Sequence, residues 1–479
     1  MKIRTVSTSI ILLLITYNAI AQFPDQWIEK KIDSLFSEYN SETAGVAVVV
    51  VKDGKIVFKK GYGMANLEYD IPVTTQTPMH IGSVSKQFTA FSVYLLERQG
   101  KISFEDDIRK YIPELPDYGS PIRIKHLLAH TSGLRDQWAI HALAGWHEED
   151  VITTEQILKL ASIQKELNFK TGTAFGYCNT GYTLLAEAVS RITGQSFSDF
   201  TRANIFEPLG MTNSLFYDDY HKTIKNRAYS YQLKDGKFTK MEQSHSNVGP
   251  SNLLTTAEDL AKWVNNFDNP IVGDQALIKA FNEISVLDNN EPVVWAMSQE
   301  DTIYHAKGQL RRKHKGLPVI SHGGHVAGYR AVLMRFPENN LAVITLSNNE
   351  HYTMLGKVTP LIDLYLQDKF IEVPNVITTQ SASKTPAEPE KYSNRLTDFE
   401  GAYQSDELTT VYRFKIIKDT LIMTHPRLSD MELSPIGKDK FSGVNTFAFE
   451  LEFIRKGKEV TRFKISNFGA KNVKFKRIK

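Results

Sequence analysis

The chain has 479 residues, 42% of them hydrophobic and 23% charged, with a formal net charge of +3. That composition is of an ordinary globular protein with room for about two to three domains. The near balance of charge, with no basic blocks interleaved with aromatics, argues against a nucleic-acid partner. Cys178 is the only cysteine, which excludes an intramolecular disulfide and leaves the fold to stand on its core.

Lys2 and Arg4 precede an apolar run from Ile10 to Ile15, and Ala19-Ile-Ala21 is a small-x-small cleavage site before Gln22. This predicts a signal peptide over 1–21, too short to span a bilayer comfortably. The mature protein is then periplasmic or secreted, bacterial, and not stably inserted in a membrane. A helix is expected from Trp27 to Tyr39. Ala44 to Val51, Lys52-Asp-Gly-Lys55 and Ile56 to Phe58 predict a hairpin.

The next stretch carries chemistry. Val84, Phe88, Phe91 and Leu95 recur at helical spacing, and Gly100 suits a helix end. Ser83 therefore stands at or just before the first turn of a buried helix, with Lys86 one turn along on the same face. A serine hydroxyl is a poor nucleophile until a base takes its proton. A lysine serves when burial and nearby charge lower its pKa. The helix N-terminus adds N–H groups for a developing oxyanion. Alone, Ser-x-x-Lys is weak, because Ser162-Ile-Gln-Lys165 and Ser381-Ala-Ser-Lys384 match it too.

Mostly helical patterning continues to about Leu209 and again from Thr256 to Phe267. Strands are expected over Leu317–Ser321, Gly328–Arg335 and Leu341–Ser347. Strands at the start, helices in the middle and strands at the end predict an α+β unit over 22–375, one antiparallel sheet flanked by helices. Residues 376–394 are polar and proline-bearing, a linker. From 395 to 479 the pattern has period two, as in Phe447, Phe449, Leu451 and Phe453, which predicts a small antiparallel barrel. Its seventeen Lys/Arg against eleven Asp/Glu read as a solvated strand face. A polar linker predicts a barrel that can be removed without loss to the rest.

Two further elements offer partners for Ser83. In Tyr177-Cys-Asn179 the phenol can relay a proton if nearby cations lower its pKa, and the asparagine can hold an amide carbonyl or a lysine. In Ser321-His-Gly-Gly-His325, Gly323 and Gly324 let a substrate backbone lie on a strand edge, and His322 offers a donor or a mild positive charge. His126 and His130 read as structural loop residues. A zinc pair at His322 and His325 lacks a third ligand, so no metal or cofactor is expected. No Gly-x-Ser-x-Gly elbow occurs, against an α/β-hydrolase.

Together these residues resemble the penicillin-recognising serine hydrolases, among them class C β-lactamases, penicillin-binding proteins, D-aminopeptidases and related esterases. The likeness covers about 25 to 370, including Gly61-Tyr-Gly63, Lys125 to Leu134, Pro208-Leu-Gly-Met211 and Thr256 to Leu260. It implies Ser83 as nucleophile, Lys86 as general base, Tyr177 as proton relay and Asn179 as a residue orienting substrate and lysine. It implies an oxyanion hole from the N–H groups of Ser83 and His325. The C-terminal module resembles lipocalin-like barrels appended to some of these peptidases. Two departures matter: His322-Gly-Gly324 stands where β-lactamases carry Lys-Thr-Gly, and Cys178 stands where serine is common. The first favours a small-molecule or peptide substrate cleaved at an amide or ester bond over a β-lactam. A non-catalytic muropeptide-binding receptor is the alternative of another class.

Overall fold

Val46 to Val51 shows no polar alternation because both of its faces are covered. Ala47, Val49 and Val51 join one core, while Val46, Val48 and Val50 join another. In this computed structural model, which describes residues 25–241, 243–297, 301–371 and 395–478, that run is strand β1 (Val46–Lys52). It is the penultimate strand of an eight-stranded sheet, paired on both sides. The signal peptide expected over 1–21 and the linker expected over 376–394 lie outside the described residues.

The sheet also contains β2 (Lys55–Tyr62), β3 (Val294–Met297), β4 (Thr302–His305), β5 (Leu310–His314), β6 (Leu317–Val326), β7 (Tyr329–Phe336) and β8 (Leu341–Ser347). Their order is β3-β4-β5-β6-β7-β8-β1-β2, with every neighbour antiparallel. One face packs on α1 (Asp25–Leu35) and α6 (Met354–Leu366). The other packs on α5 (Ala257–Asp268) and shares its core with α2 (Lys86–Arg98) and α4 (Asn179–Thr193), which pack on each other. This is the α+β sheet-and-helix arrangement expected. No helix among the described residues is long and apolar enough to cross a membrane.

Helix α2 is buried on nearly every side. Trp263 of α5 stacks on Phe88 with ring centres 4.4 Å apart and meets Phe91 edge-on at 5.1 Å. Such rings fix the helix axis, and with it the residues just before it.

After Arg395, eight strands close a barrel: β9 (Gly401–Ser405), β10 (Thr410–Ile417), β11 (Thr420–His425), β12 (Leu428–Gly437), β13 (Lys440–Val444), β14 (Ala448–Lys456), β15 (Glu459–Ser466) and β16 (Val473–Ile478). β9 pairs with β16, so no edge is left open. Phenylalanine and tyrosine rings fill the inside. Phe399 lies 4.4 Å from Phe453, Phe463 4.5 Å from Phe475, and Tyr403 5.3 Å from Phe463. The barrel is a packed core rather than a calyx.

The premise of a removable barrel, that few core contacts cross between the two units, does not match the packing. Ala139, Ile140 and Leu143 of α3 (Gln137–Leu143), with Ala144, belong to the barrel's own hydrophobic cluster. Hydrogen bonds cross the joint: Asp136 N–H donates to the Gly469 carbonyl at 2.8 Å, and Tyr412 Oη donates to the Leu143 carbonyl at 3.0 Å. A polar linker reports only that a segment makes no core of its own. It is silent about what the flanking units do to each other, and here the barrel covers the apolar face of α3.

Candidate active site

Ser83 sits in a short 3-10 turn, Gly82–Ser85, that feeds directly into α2. Gly82 holds a left-handed φ of 51°, and a Cβ there would come within 2.6 Å of the His325 nitrogen. On the strand side, a Cβ at Gly324 would lie 1.9 Å from the Ile81 carbonyl oxygen. Both positions therefore require glycine, and their close approach brings the His325 N–H against the serine turn. Gly323 is different, since a side chain there would meet only ordinary contacts. Of the two glycines expected to let a substrate backbone lie on this strand, Gly324 alone is required by sterics.

Two donors converge on the Ser83 hydroxyl. Lys86 Nζ donates at 3.1 Å and Tyr177 Oη at 2.9 Å. Lys86 is fully buried and donates as well to Asn179 Oδ1 at 2.8 Å and to the Pro250 carbonyl at 2.7 Å. Burial brings the ammonium down to about 7, outweighing the opposite pull of Asp136. A lysine held at that value is partly neutral at pH 7 and can accept the serine proton.

Tyr177 precedes α4, which Asn179 begins. The lowered phenol pKa that a relay could use is not found. Burial pushes Tyr177 up, Asp136 adds to the rise, and only the bond to Ser83 opposes it. The group stays a protonated donor. Asn179 is the lysine's anchor: its Nδ2 and its backbone N–H both donate to Asp136 Oδ2, at 2.8 and 2.6 Å.

Asp136 did not emerge from sequence. Its carboxylate also accepts the Trp138 and Ala139 N–H groups as the N-cap of α3, and burial raises its pKa. An Asp just before Gln137-Trp-Ala-Ile is a readable N-cap signal. Its bond to Asn179 is a tertiary contact that no local pattern shows. His130, read as a structural loop residue, seats the tyrosine. Its ring centre is 4.4 Å from that of Tyr177, and its Nδ1 accepts the Cys178 N–H at 3.1 Å.

A cavity of about 550 Å³ opens over Ser83, lined also by Tyr177, Asn179 and His325. His322, expected to face substrate, is not among its lining residues. It is buried in the wall, where Nδ1 meets the Gly323 carbonyl at 2.6 Å, and its ring lies 6.3 Å from that of Trp295. Burial and the neighbouring Lys86 push its pKa down to about 4. By the period of two His322 shares a face of β6 with Gly324, which packs on Ile81 beside the serine turn, while His325, three positions on, leaves the opposite face. Cys178 is buried with its Sγ 3.8 Å from the Arg135 carbonyl, and burial raises its thiol to about 12, which leaves it without thiolate character. Among the described residues no group of His, Cys, Asp and Glu could hold a metal ion.

Comparison with known proteins follows this geometry. The chain is 28% identical over 325 residues to a Bacillus subtilis protein described as penicillin-binding protein 4*, covering 64% of this chain and 68% of that one. It is 26% identical over 307 residues to a D-aminopeptidase of Brucella anthropi, covering 64% of this chain and 56% of the relative's length. In fold it matches the octameric penicillin-binding protein homologue from Pyrococcus abyssi, with a TM-score of 0.62 at 22% identity. That match covers 94% of this chain and 99% of the other, so it takes in the barrel. The Beta-lactamase family model matches residues 32–367, which hold Ser83, Lys86, Tyr177, Asn179 and the β6 glycines, and the chain belongs to that family.

Proposed function

We propose that the protein is an exported serine hydrolase that forms an acyl-enzyme at Ser83 and cleaves an amide or ester bond. The substrate is a D-amino-acid peptide, a cell-wall-derived peptide or a small ester. The observation that carries this reading is the Ser83 hydroxyl held by both Lys86 and Tyr177, with Lys86 lowered to about 7. Neutral Lys86 takes the serine proton as Oγ attacks the carbonyl carbon. The oxyanion forms against the N–H groups of Ser83 and His325. Tyr177 gives its proton to the departing amine or alkoxide and is resupplied from Lys86. Water then attacks the acyl-enzyme, its proton passing back along the same pair and returning to Ser83 Oγ. The test is intact mass after exposure to a fluorophosphonate, with the adduct mapped to the peptide bearing Ser83. No adduct, or an adduct elsewhere, defeats the assignment. Edman sequencing of the secreted protein should begin at Gln22.

The pH profile follows from one group. Lys86 acts only when neutral, so kcat/KM should rise through about pH 7 and level off above it, falling about tenfold per unit below. His322, held at about 4, stays neutral across pH 5–8 and gives no opposing limb there. A bell with an acid-side optimum near 6 would show that another group is essential.

His322→Lys separates peptide or ester cleavage from β-lactam hydrolysis. A lysine buried beside Lys86 adds like charge in a dry wall. Ester turnover should fall about 10- to 100-fold, or roughly 1.4–2.7 kcal/mol, without a gain on nitrocefin. A nitrocefin rate raised tenfold or more by this change would instead favour a β-lactamase.

A further inference from the structure

The cavity over Ser83 has two walls from distant parts of the chain. One carries Ser83, Tyr177, Asn179 and His325. The other carries Trp138, Trp146 and, from the barrel, Phe447 and Phe468. Phe447 lies between β13 and β14 and Phe468 between β15 and β16, so two barrel loops reach the cavity that Ser83 lines. Their rings meet edge to face with centres 4.6 Å apart.

Phe468 is 57% exposed, while Phe399, Phe414, Phe441, Phe453, Phe463 and Phe475 fill the barrel. The barrel's fold therefore does not account for Phe468. A loop tip needs no phenylalanine for stability, and leaving one in water forgoes the burial that the others gain. Both loops end at the cavity that Ser83 lines, where an apolar group attached to a bound carbonyl would cover them.

Charge narrows the occupant. Among the described residues no lysine or arginine lines the cavity, and the carboxylates that do are Glu148 and Glu350. Glu350 lies 3.8 Å from Arg330, set behind the wall, and Glu148 has its pKa raised by burial and by Glu149 and Glu350. Burial lowers the cavity-lining His141, His245 and His325 toward the neutral form. A second carboxylate on the substrate, away from Lys86, would meet like charge, and the nearby Arg330 already faces Glu350.

We propose that Phe447 and Phe468 are specificity-determining residues: they receive an aromatic or large aliphatic side chain of a substrate that carries an amine or no charge there, not a carboxylate. This rests on the serine-hydrolase reading and names the substrate class within it. The barrel then completes the substrate site rather than serving as a tethered module.

Two measurements on the full chain test it. The first is the ratio of kcat/KM for p-nitrophenyl phenylacetate to that for p-nitrophenyl acetate. In Phe447→Ala, Phe468→Ala and the double variant this ratio should fall about tenfold or more, and Phe468→Leu, which keeps an apolar side chain, should restore most of it. A ratio that stays at the wild-type value in the double variant overturns the proposal, whatever happens to the absolute rates. The second needs no turnover. In Ser83→Ala, 2-phenylethylamine and phenylacetate are titrated against the fluorescence of Trp138 and Trp146. The amine should bind about fivefold or more tighter, and adding Phe447→Ala and Phe468→Ala should remove that binding. Equal or tighter binding of phenylacetate overturns the charge argument and the proposal with it. Failure of Ser83 labelling alongside a positive titration would sink the hydrolase reading and leave the wall standing; labelling with a flat titration would do the reverse.

Discussion

Ser83→Ala is expected to lower kcat for a p-nitrophenyl ester by about 10⁴- to 10⁶-fold, with the melting temperature unchanged. The hydroxyl is the sole acyl acceptor in the site, so its loss removes the chemical step and not an increment of binding. Stability should hold because Ser83 is partly exposed and its oxygen accepts from Lys86 and Tyr177 without anchoring a buried segment. Lys86→Ala should be nearly as damaging, since the lysine is the one base within reach of the serine oxygen. The two changes act on one proton transfer, so the double variant should be no worse than the worse single. Log losses that add would mean two separate steps. More than a few per cent of activity left in Ser83→Ala, together with its loss in Cys178→Ala, would move the nucleophile to the thiol. The buried, high-pKa thiol argues against that outcome.

How much of this was legible in the chain depends on the range of the interaction. Val46 to Val51 showed a buried strand because a six-residue apolar run needs no partner to be recognised, and the helix after Ser83 was marked by its own spacing. Ser83 and Lys86 stand one turn apart in any helix, so their meeting followed from local geometry. Tyr177 and Asn179, about ninety residues away, needed a family pattern to be joined to them. His322 and His325 were both expected at the substrate; that His322 is covered beside Trp295 while His325 lines the cavity was not legible, because packing sets it. Still less visible was Asp136, whose role depends on one carboxylate meeting an asparagine 43 positions on. The barrel's fold could be read from alternation, but its docking could not. Arg135 and Glu407 are unremarkable charged residues in sequence, and only the three-dimensional structure shows them buried against each other.

That pair carries the largest stability prediction. The Arg135 and Glu407 side chains are 0% and 4% exposed and lie 2.5 Å apart. Arg135 also donates to Gln164 Oε1 at 2.9 Å and to the Lys471 carbonyl at 2.9 Å, and Glu407 accepts the Lys165 N–H at 2.8 Å. Glu407→Ala leaves a guanidinium in a dry joint with no counter-charge. This should cost about 3–5 kcal/mol and lower the melting temperature by on the order of 10 °C. The double change Arg135→Leu and Glu407→Leu should recover most of it, because an apolar pair removes the uncompensated charge. Activity should suffer more than stability alone explains. Arg135 adjoins Asp136, and Asp136 holds Asn179, which holds Lys86. Loosening the joint frees the lysine's anchor, so in folded Glu407→Ala the rise of kcat/KM with pH should shift away from 7 while Ser83 labelling persists more slowly. For the same reason a chain ending at residue 394 should expose Ala139, Ile140, Leu143 and Ala144 and lose both solubility and ester turnover. A soluble, cooperatively melting truncated protein with wild-type ester kinetics and an unshifted pH midpoint would show that the barrel does not support the site.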